Sequence, residues 1–242
     1  MEIMPELASS GISVVIADPP YGDTSLEWDK RLSRWPQVAF GVTEASASLW
    51  CFGSFRMFYE SDGMIPWRLA QDLVWEKHNG SSFHADRFRR VHEHIVHFYK
   101  GSWSSLYRKP VYTNDATKRT VRRKRRPPHM GHIEAGSYTS SDGGPRLMRS
   151  VIYARSCHGE AIHPTQKPLS ILGPILEYSC SQESLVLDPF MGSGSTLVAC
   201  RSIGIRAIGI ELKQEYCEAA VERIRTSPVA LFSDLSEITG NI

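Results

Sequence analysis

The sequence predicts an α/β protein with a doubly wound, mostly parallel sheet, and three stretches carry that prediction. An apolar run, Val14-Val15-Ile16-Ala17, breaks at Asp18-Pro19-Pro20-Tyr21. A second run, Ser184-Leu185-Val186-Leu187-Asp188, breaks at a glycine-rich turn that opens a helix. A third, Ala207-Ile208-Gly209-Ile210, ends on Glu211. Short continuous apolar runs suit strands buried on both faces, which is how a parallel sheet covered by helices is built.

Taken in order, the first strand is expected near residues 12–17, and the two prolines end it because they cannot continue a sheet ladder. A polar loop follows through Gly22 to Lys30. Ser48 to Phe52 reads as a strand, Phe55 to Asp62 as a helix, and Leu73 to Glu76 and His94 to Tyr99 as two further strands. From Gly101 to Arg155 the periodicity fades into Gly, Ser, Pro and basic residues, which predicts a loop-rich lobe. Leu169 to Cys180 reads as a helix entered through Pro168, with a kink expected at Gly173-Pro174. The run 184–188, the turn, a helix to about Cys200–Ser202 and the run 207–210 then close the fold.

Two of these junctions carry chemistry. Asp18 and Tyr21 fall at the carboxyl end of their strand, where open α/β sheets place ligands. Pro19 and Pro20 offer carbonyls without N–H donors, so the corner is rigid and rich in acceptors, suited to receiving the hydrogens of an –NH2 group. Tyr21 adds a flat face for a base. In Asp188-Pro189-Phe190-Met191-Gly192-Ser193-Gly194-Ser195-Thr196, the glycines permit close backbone approach, and the helix start supplies free N–H groups. Glu211 follows Gly192 by about twenty residues, the spacing of an acidic ribose ligand in a nucleotide-binding βαβ unit. The turn lacks the third glycine of the dinucleotide fingerprint and the lysine of a P-loop. S-adenosylmethionine fits better: a ribose for Glu211, an adenine for walls such as Phe190, and an amino acid end for Asp188 and the turn amides.

With Asp18 to Tyr21 early and Phe190 to Gly194 late, the chain resembles the DNA amino-methyltransferases of the β group. His163-Pro164-Thr165-Gln166-Lys167-Pro168 matches a family segment just before the cofactor strand, and Trp28-Asp29, Trp75-Glu76-Lys77 and Arg90-Val91-His92-Glu93 are further echoes. The resemblance implies a single methyltransferase domain over 1–242 with a seven-stranded Rossmann-like sheet. Its catalytic half would span about 1–100, a target-recognition insertion about 101–160 and a cofactor half about 161–242. It implies Asp18, Pro19, Pro20 and Tyr21 as catalytic. Lys167, Pro168, Asp188, Phe190, Gly192, Ser193, Gly194, Ser195, Thr196 and Glu211 are the expected cofactor residues.

The activity implied is direct methylation of an amino group on a base swung out of duplex DNA. Adenine N6 is the expected acceptor, because an Asp-headed corner is typical of adenine enzymes in this family, and cytosine N4 is the nearest alternative. Methylation of RNA or protein glutamine, where Asn more usually replaces Asp18, and a catalytically dead DNA-binding module are more distant readings. Double-stranded DNA is the implied partner; a homodimer and a cognate restriction enzyme are further partners that the resemblance admits.

Composition agrees with one enzyme domain: 242 residues at 41% hydrophobic content can bury a sizeable core. The five cysteines show no C-x-x-C spacing and none follows a proline, against both a disulfide framework and the Pro-Cys nucleophile of C5-cytosine methylation. Neither a signal peptide nor a membrane-spanning run is evident, so a soluble cytoplasmic protein is expected. Although the net charge is only +2, Lys118, Arg119, Arg122, Arg123, Lys124, Arg125 and Arg126 place seven cations in nine residues. They are the expected DNA phosphate contacts, against a plainer reading as a solvated segment. On a strand, His92 and His94 would share one face and His97 the other, which argues for structural histidines and no metal.

Overall fold

The computed structural model describes residues 2–23, 29–60, 64, 66–80, 85–123, 135–156 and 166–227. The regular elements begin with β1 (Ile12–Ala17), α1 (Trp35–Val42), β2 (Thr43–Gly53), α2 (Phe55–Tyr59), β3 (Arg68–Glu76) and β4 (His92–Lys100). Four short strands follow, β5 (Tyr112–Thr113), β6 (Arg119–Arg123), β7 (Gly136–Ser140) and β8 (Arg146–Leu147). The chain then forms β9 (Val151–Tyr153), α3 (Leu169–Ser179), β10 (Leu185–Asp188), α4 (Ser195–Ser202), β11 (Arg206–Gly209) and α5 (Gln214–Thr226). Two compact units result, one from Met1–Lys109 with Ser150–Ile242, the other from Pro110–Arg149.

The larger unit is built on a seven-stranded sheet in the order β11-β10-β1-β2-β4-β3-β9. Every pairing is parallel except those of β4, which runs against β2 and β3. The predicted doubly wound, mostly parallel sheet is thus observed, with one reversed strand that the apolar pattern alone did not reveal.

Alternation along the strands sorts the core onto two faces. Val15, Ala17, Leu49, Cys51, Val96, Phe98 and Leu187 share one buried cluster with Trp35, Ala39 and Val42 of α1. The opposite face carries Trp50, whose indole N–H donates to Ser179 Oγ of α3 at 2.7 Å. Helices therefore cover both faces, as the sequence of a two-sided parallel sheet demands. Ser54 starts α2 by accepting from Met57 N at 3.2 Å.

α3 continues through Gly173-Pro174, where the expectation is a kink; the proline removes one intrahelical donor, and the apolar face formed by Ile171, Leu172, Ile175 and Leu176 stays buried. Two helices absent from the sequence reading are α1, apolar without a polar stripe, and α5, a polar helix with Ala220 as its buried residue. α1 lacks the amphipathic contrast by which a helix is recognised, whereas α5 carries Tyr216, Cys217, Ala220 and Ile224 at helical spacing on its less exposed face, a signal that the sequence reading passed over.

His97 is fully buried, its ring stacked on Trp50 at 4.1 Å and its Nε2 3.1 Å from Ser48 Oγ. His92 and His94 sit together at 5.3 Å between ring centroids, as strand alternation predicts.

The smaller unit consists of two antiparallel ribbons, β5 with β8 and β6 with β7. Backbone bonds between Ala116 and both Gly143 and Gly144 join its strands, and Val111 and Ala116 are buried in it. Strands of two to five residues are too short to impose a readable alternation, which is why this stretch looks featureless in sequence.

Among the described residues no helix is long and apolar enough to cross a membrane.

Candidate active site

β1 and β10 are neighbours, with Val14 opposite Val186 and Val15 opposite Leu187. From β1 the sheet grows toward β2, and from β10 toward β11, so the strand order reverses direction between them. A crevice opens outside the carboxyl ends of strands at such a switch point. Asp18 and Asp188 stand there, one from each strand, and line the same cleft.

The prolyl corner is held from several sides. Tyr21 Oη donates to Asp18 Oδ1 at 2.7 Å, Arg31 Nε donates to the Tyr21 carbonyl at 2.7 Å, and Gly22 N donates to Asp29 Oδ1 at 2.8 Å. Gly22 has φ +68°, a left-handed conformation that lets the chain turn away directly after the corner.

A buried ionic cluster backs the corner. Lys167 Nζ donates to Asp18 Oδ2 at 2.6 Å and lies 3.8 Å from Glu93 Oε2. Tyr21 Oη also lies 3.4 Å from Glu93 Oε2, and Lys77 Nζ pairs with Glu93 Oε1. Burial pushes the Tyr21 hydroxyl well above its usual range, and the Asp18 and Glu93 carboxylates push it further. Burial disfavours the Glu93 carboxylate, yet Lys167 and Lys77 outweigh it and hold the group below the usual carboxylate range. Burial likewise disfavours the Lys167 ammonium, and Asp18 and Glu93 outweigh that too, so the group stays charged.

On the other wall, the glycine turn connects β10 to α4. Gly194 caps α4 with φ +79°, and a Cβ there would sit 2.8 Å from Ala220 Cβ, so only glycine fits against α5. Gly192 N donates to Glu211 Oε2 at 3.0 Å, while Glu211 Oε1 accepts from Leu212 N and Lys213 N at 2.9 Å each. Arg223 Nη1 of α5 donates to the Ser193 carbonyl at 2.5 Å and to Ser193 Oγ at 2.9 Å. Phe190 packs edge-on against Trp35 at 5.4 Å. Asp188 accepts from Phe190 N at 3.0 Å, and burial raises its carboxyl to about 7 even though that bond and the Thr196 hydroxyl act in the opposite direction.

The structure therefore brings together most of the sequence-predicted site. Asp18, Lys167, Asp188, Phe190, Gly192, Ser193, Ser195 and Thr196 line one cleft. Tyr21 and Glu211 are bonded to cleft residues, Gly194 and Pro168 cap the adjoining helices, and Pro19 is buried. Lys118, Arg119 and Arg122 belong to the smaller unit, and the β6 backbone at Arg123 pairs with Gly136. Lys124, Arg125 and Arg126, like Trp28 and His163 to Thr165, lie outside the described residues.

Sequence reasoning missed the roles of Lys77, Glu93 and Arg223. The signal for Glu93 was an acidic residue beside the apolar run Ile95-Val96 of its strand.

Cys51, Cys180 and Cys200 are buried free thiols, and burial raises each, Cys180 to about 12, so none is primed as a nucleophile. Among the described residues no group of three His, Cys, Asp or Glu is placed to hold a metal ion.

The N6/N4 family of DNA methylases matches residues 12–222. The Type II methyltransferase M.HinfI of Haemophilus influenzae is 26% identical over 254 residues, covering 93% of this chain and 66% of that protein. A second curated relative, from Escherichia coli strain K12, is 36% identical over 99 residues and is spanned to 44% of its length. The chain thus spans about two thirds or less of the curated relatives it matches.

Among solved structures, the M1.HpyAVI–SAM complex superposes with a TM-score of 0.61 at 22% identity, covering 92% of this chain and 94% of that one. The cytosine-N4-specific PvuII DNA methyltransferase superposes with a TM-score of 0.63 at 14% identity, covering 99% and 88%. The family match extends from β1 into α5 and takes in both walls of the cleft, and on that ground the chain belongs to the N6/N4 family of DNA methylases.

Proposed function

We propose that the chain is an S-adenosylmethionine-dependent DNA methyltransferase that methylates an exocyclic amino group, that of adenine N6. The observation that carries this reading is the meeting of the Asp18 corner and the glycine turn across one cleft at the ends of β1 and β10. The residues present fit the cofactor. Asp188 is a buried carboxylate suited to an ammonium group, Glu211 a carboxylate at the end of β11 suited to ribose hydroxyls, and Phe190 an apolar wall. Gly192, Ser193, Gly194, Ser195 and Thr196 supply backbone and hydroxyl contacts, with Lys167 and Pro168 closing the same side. When bound, the cofactor supplies a methyl group on a positively charged sulfur.

This chain's residues align the acceptor. Asp18 and the Pro19 carbonyl accept the two amino hydrogens of a base swung out of the duplex, and the rigid Pro19-Pro20 segment fixes their direction. Tyr21, hydrogen-bonded to Asp18, holds that carboxylate and presents its ring beside the base. As the nitrogen–methyl bond forms, sulfur keeps the pair of the bond that breaks, and one amino proton is released to water. Alignment and field suffice, and no strong base is required beforehand.

The β6–β7 ribbon carries Arg119 and Arg122 at positions of opposite strand parity. A two-stranded ribbon with such cations suits a DNA groove and its phosphates.

Cytosine N4 is the second reading, favoured by the fold likeness to the cytosine-N4-specific PvuII enzyme. Incubation with DNA and labelled cofactor, followed by mass spectrometry of the nucleosides, decides between them. N6-methyladenine is the expected product, N4-methylcytosine establishes the second reading, and no labelled nucleoside overturns both.

A further inference from the structure

We propose that Glu93 is a positioning residue for methyl transfer: it gives the Lys167 ammonium a second acceptor, so that the substrate amino group can take its place on Asp18. This rests on the methyltransferase reading above.

Both Asp18 oxygens are engaged in the structure, Oδ1 by the Tyr21 hydroxyl at 2.7 Å and Oδ2 by Lys167 at 2.6 Å. An amino group that is to be held by Asp18 therefore meets an ammonium already there. Moreover, transfer of a methyl cation places positive charge on the acceptor nitrogen, and an ammonium fixed beside it opposes that charge. The cluster contains the means of relief. Glu93 Oε2 stands 3.8 Å from Lys167 Nζ, so a shift of about 1 Å reaches hydrogen-bond distance.

Glu93 itself is well anchored. Lys77 pairs with its other oxygen and lies over the Trp75 ring at 4.5 Å, and the two side chains are 12% and 13% exposed. The rings of Phe52, Tyr21 and Trp75 lie 5.2, 5.8 and 5.9 Å from Lys167 Nζ, an aromatic surround that tolerates a cation as it moves. Lys77, Glu93, Lys167 and Asp18 sum to zero charge. A buried cluster is sensitive to loss of that balance, because an uncompensated charge has little water to screen it.

The test uses single-turnover methylation of DNA by the full chain, with cofactor dissociation constants measured alongside. Glu93→Gln keeps an acceptor oxygen but leaves the cluster one positive charge in excess; its transfer rate is expected to fall by about two orders of magnitude, with cofactor affinity within about threefold of the unaltered chain. Adding Lys77→Met restores neutrality while the glutamine oxygen still serves Lys167, and should recover at least about tenfold of the rate. Glu93→Leu with Lys77→Met is also neutral but offers no acceptor, and should not recover.

An unaltered rate in Glu93→Gln overturns the proposal, as does equal recovery by the leucine pair. If Glu93→Gln does not fold, the neutral glutamine and leucine pairs still decide by their difference, equal rates counting against the proposal. Failure of the unaltered chain to methylate any DNA would strike the methyltransferase reading instead.

Discussion

Asp188 offers a direct measure of how strongly the cleft punishes an unpaired charge. Its carboxyl is raised from an ordinary 3.8 to about 7 by burial, with the nearby Asp18 and Glu211 adding to the rise. The folded state therefore binds a proton more tightly than the unfolded state does. The stability that this proton contributes is fully present below pH 3.8 and is lost as pH rises through about 7. A difference of roughly three pH units corresponds to about 4 kcal/mol in total, of which about 3 kcal/mol falls between pH 5 and pH 8.

Asp188→Asn removes the titration while keeping an oxygen for Phe190 N. Urea unfolding of both proteins without cofactor, at pH 5, 6, 7 and 8, should show the unaltered chain losing about 3 kcal/mol relative to the variant over that range. The difference should be level above pH 8. A difference constant to within about 0.5 kcal/mol from pH 5 to pH 8 would falsify the assignment of a proton to this carboxyl.

Asp18→Ala should retain cofactor binding while single-turnover methylation falls by about two to three orders of magnitude, since it removes the proposed acceptor of the amino hydrogens; near-normal turnover in a radiolabel assay refutes that role. Gly194→Ala places a Cβ 2.8 Å from Ala220 at φ +79° and should lower stability by about 1–3 kcal/mol together with cofactor affinity, measured by thermal unfolding and calorimetry; an unchanged midpoint speaks against the tight fit. Burial, helped by Arg108, lowers His97 from 6.5 to about 3, so its contribution is present above pH 6.5 and lost as pH falls toward 3. Relative to His97→Gln, the unaltered chain should lose about 1.4 kcal/mol per pH unit below 6.5, the opposite sense to Asp188, and a pH-independent difference in acid titrations of unfolding counts against it.

The central strands and both turns of the site were legible because each apolar run ends on residues that forbid its continuation. Pro19 and Pro20 stop β1, and Gly192 and Gly194 turn the chain out of β10. The reversal of β4 was not legible, because a strand buried on both faces reads the same in either direction; only the partners of His97 and Val96 reveal it. α5 was legible from Tyr216, Cys217, Ala220 and Ile224 at helical spacing but was passed over, and its Arg223 acts on a turn thirty residues away that no local pattern links to it. The charged cluster stayed hidden for a related reason: Lys77, Glu93 and Lys167 come from three separate stretches, and nothing local says that they converge on Asp18. Short-range pattern reveals what each segment does with its own backbone. Long-range electrostatic pairing waits on topology.

The side-by-side placement of β1 and β10 has a bearing on biogenesis. Lys167, the ion-pair partner of Asp18, lies 149 residues further along the chain, and the glycine turn comes later still. A growing polypeptide thus displays the prolyl corner well before the strand that completes the crevice is made. Two separately expressed pieces cut between β9 and α3 should each lack one wall of the crevice, and the complete cleft should form only when they reassociate.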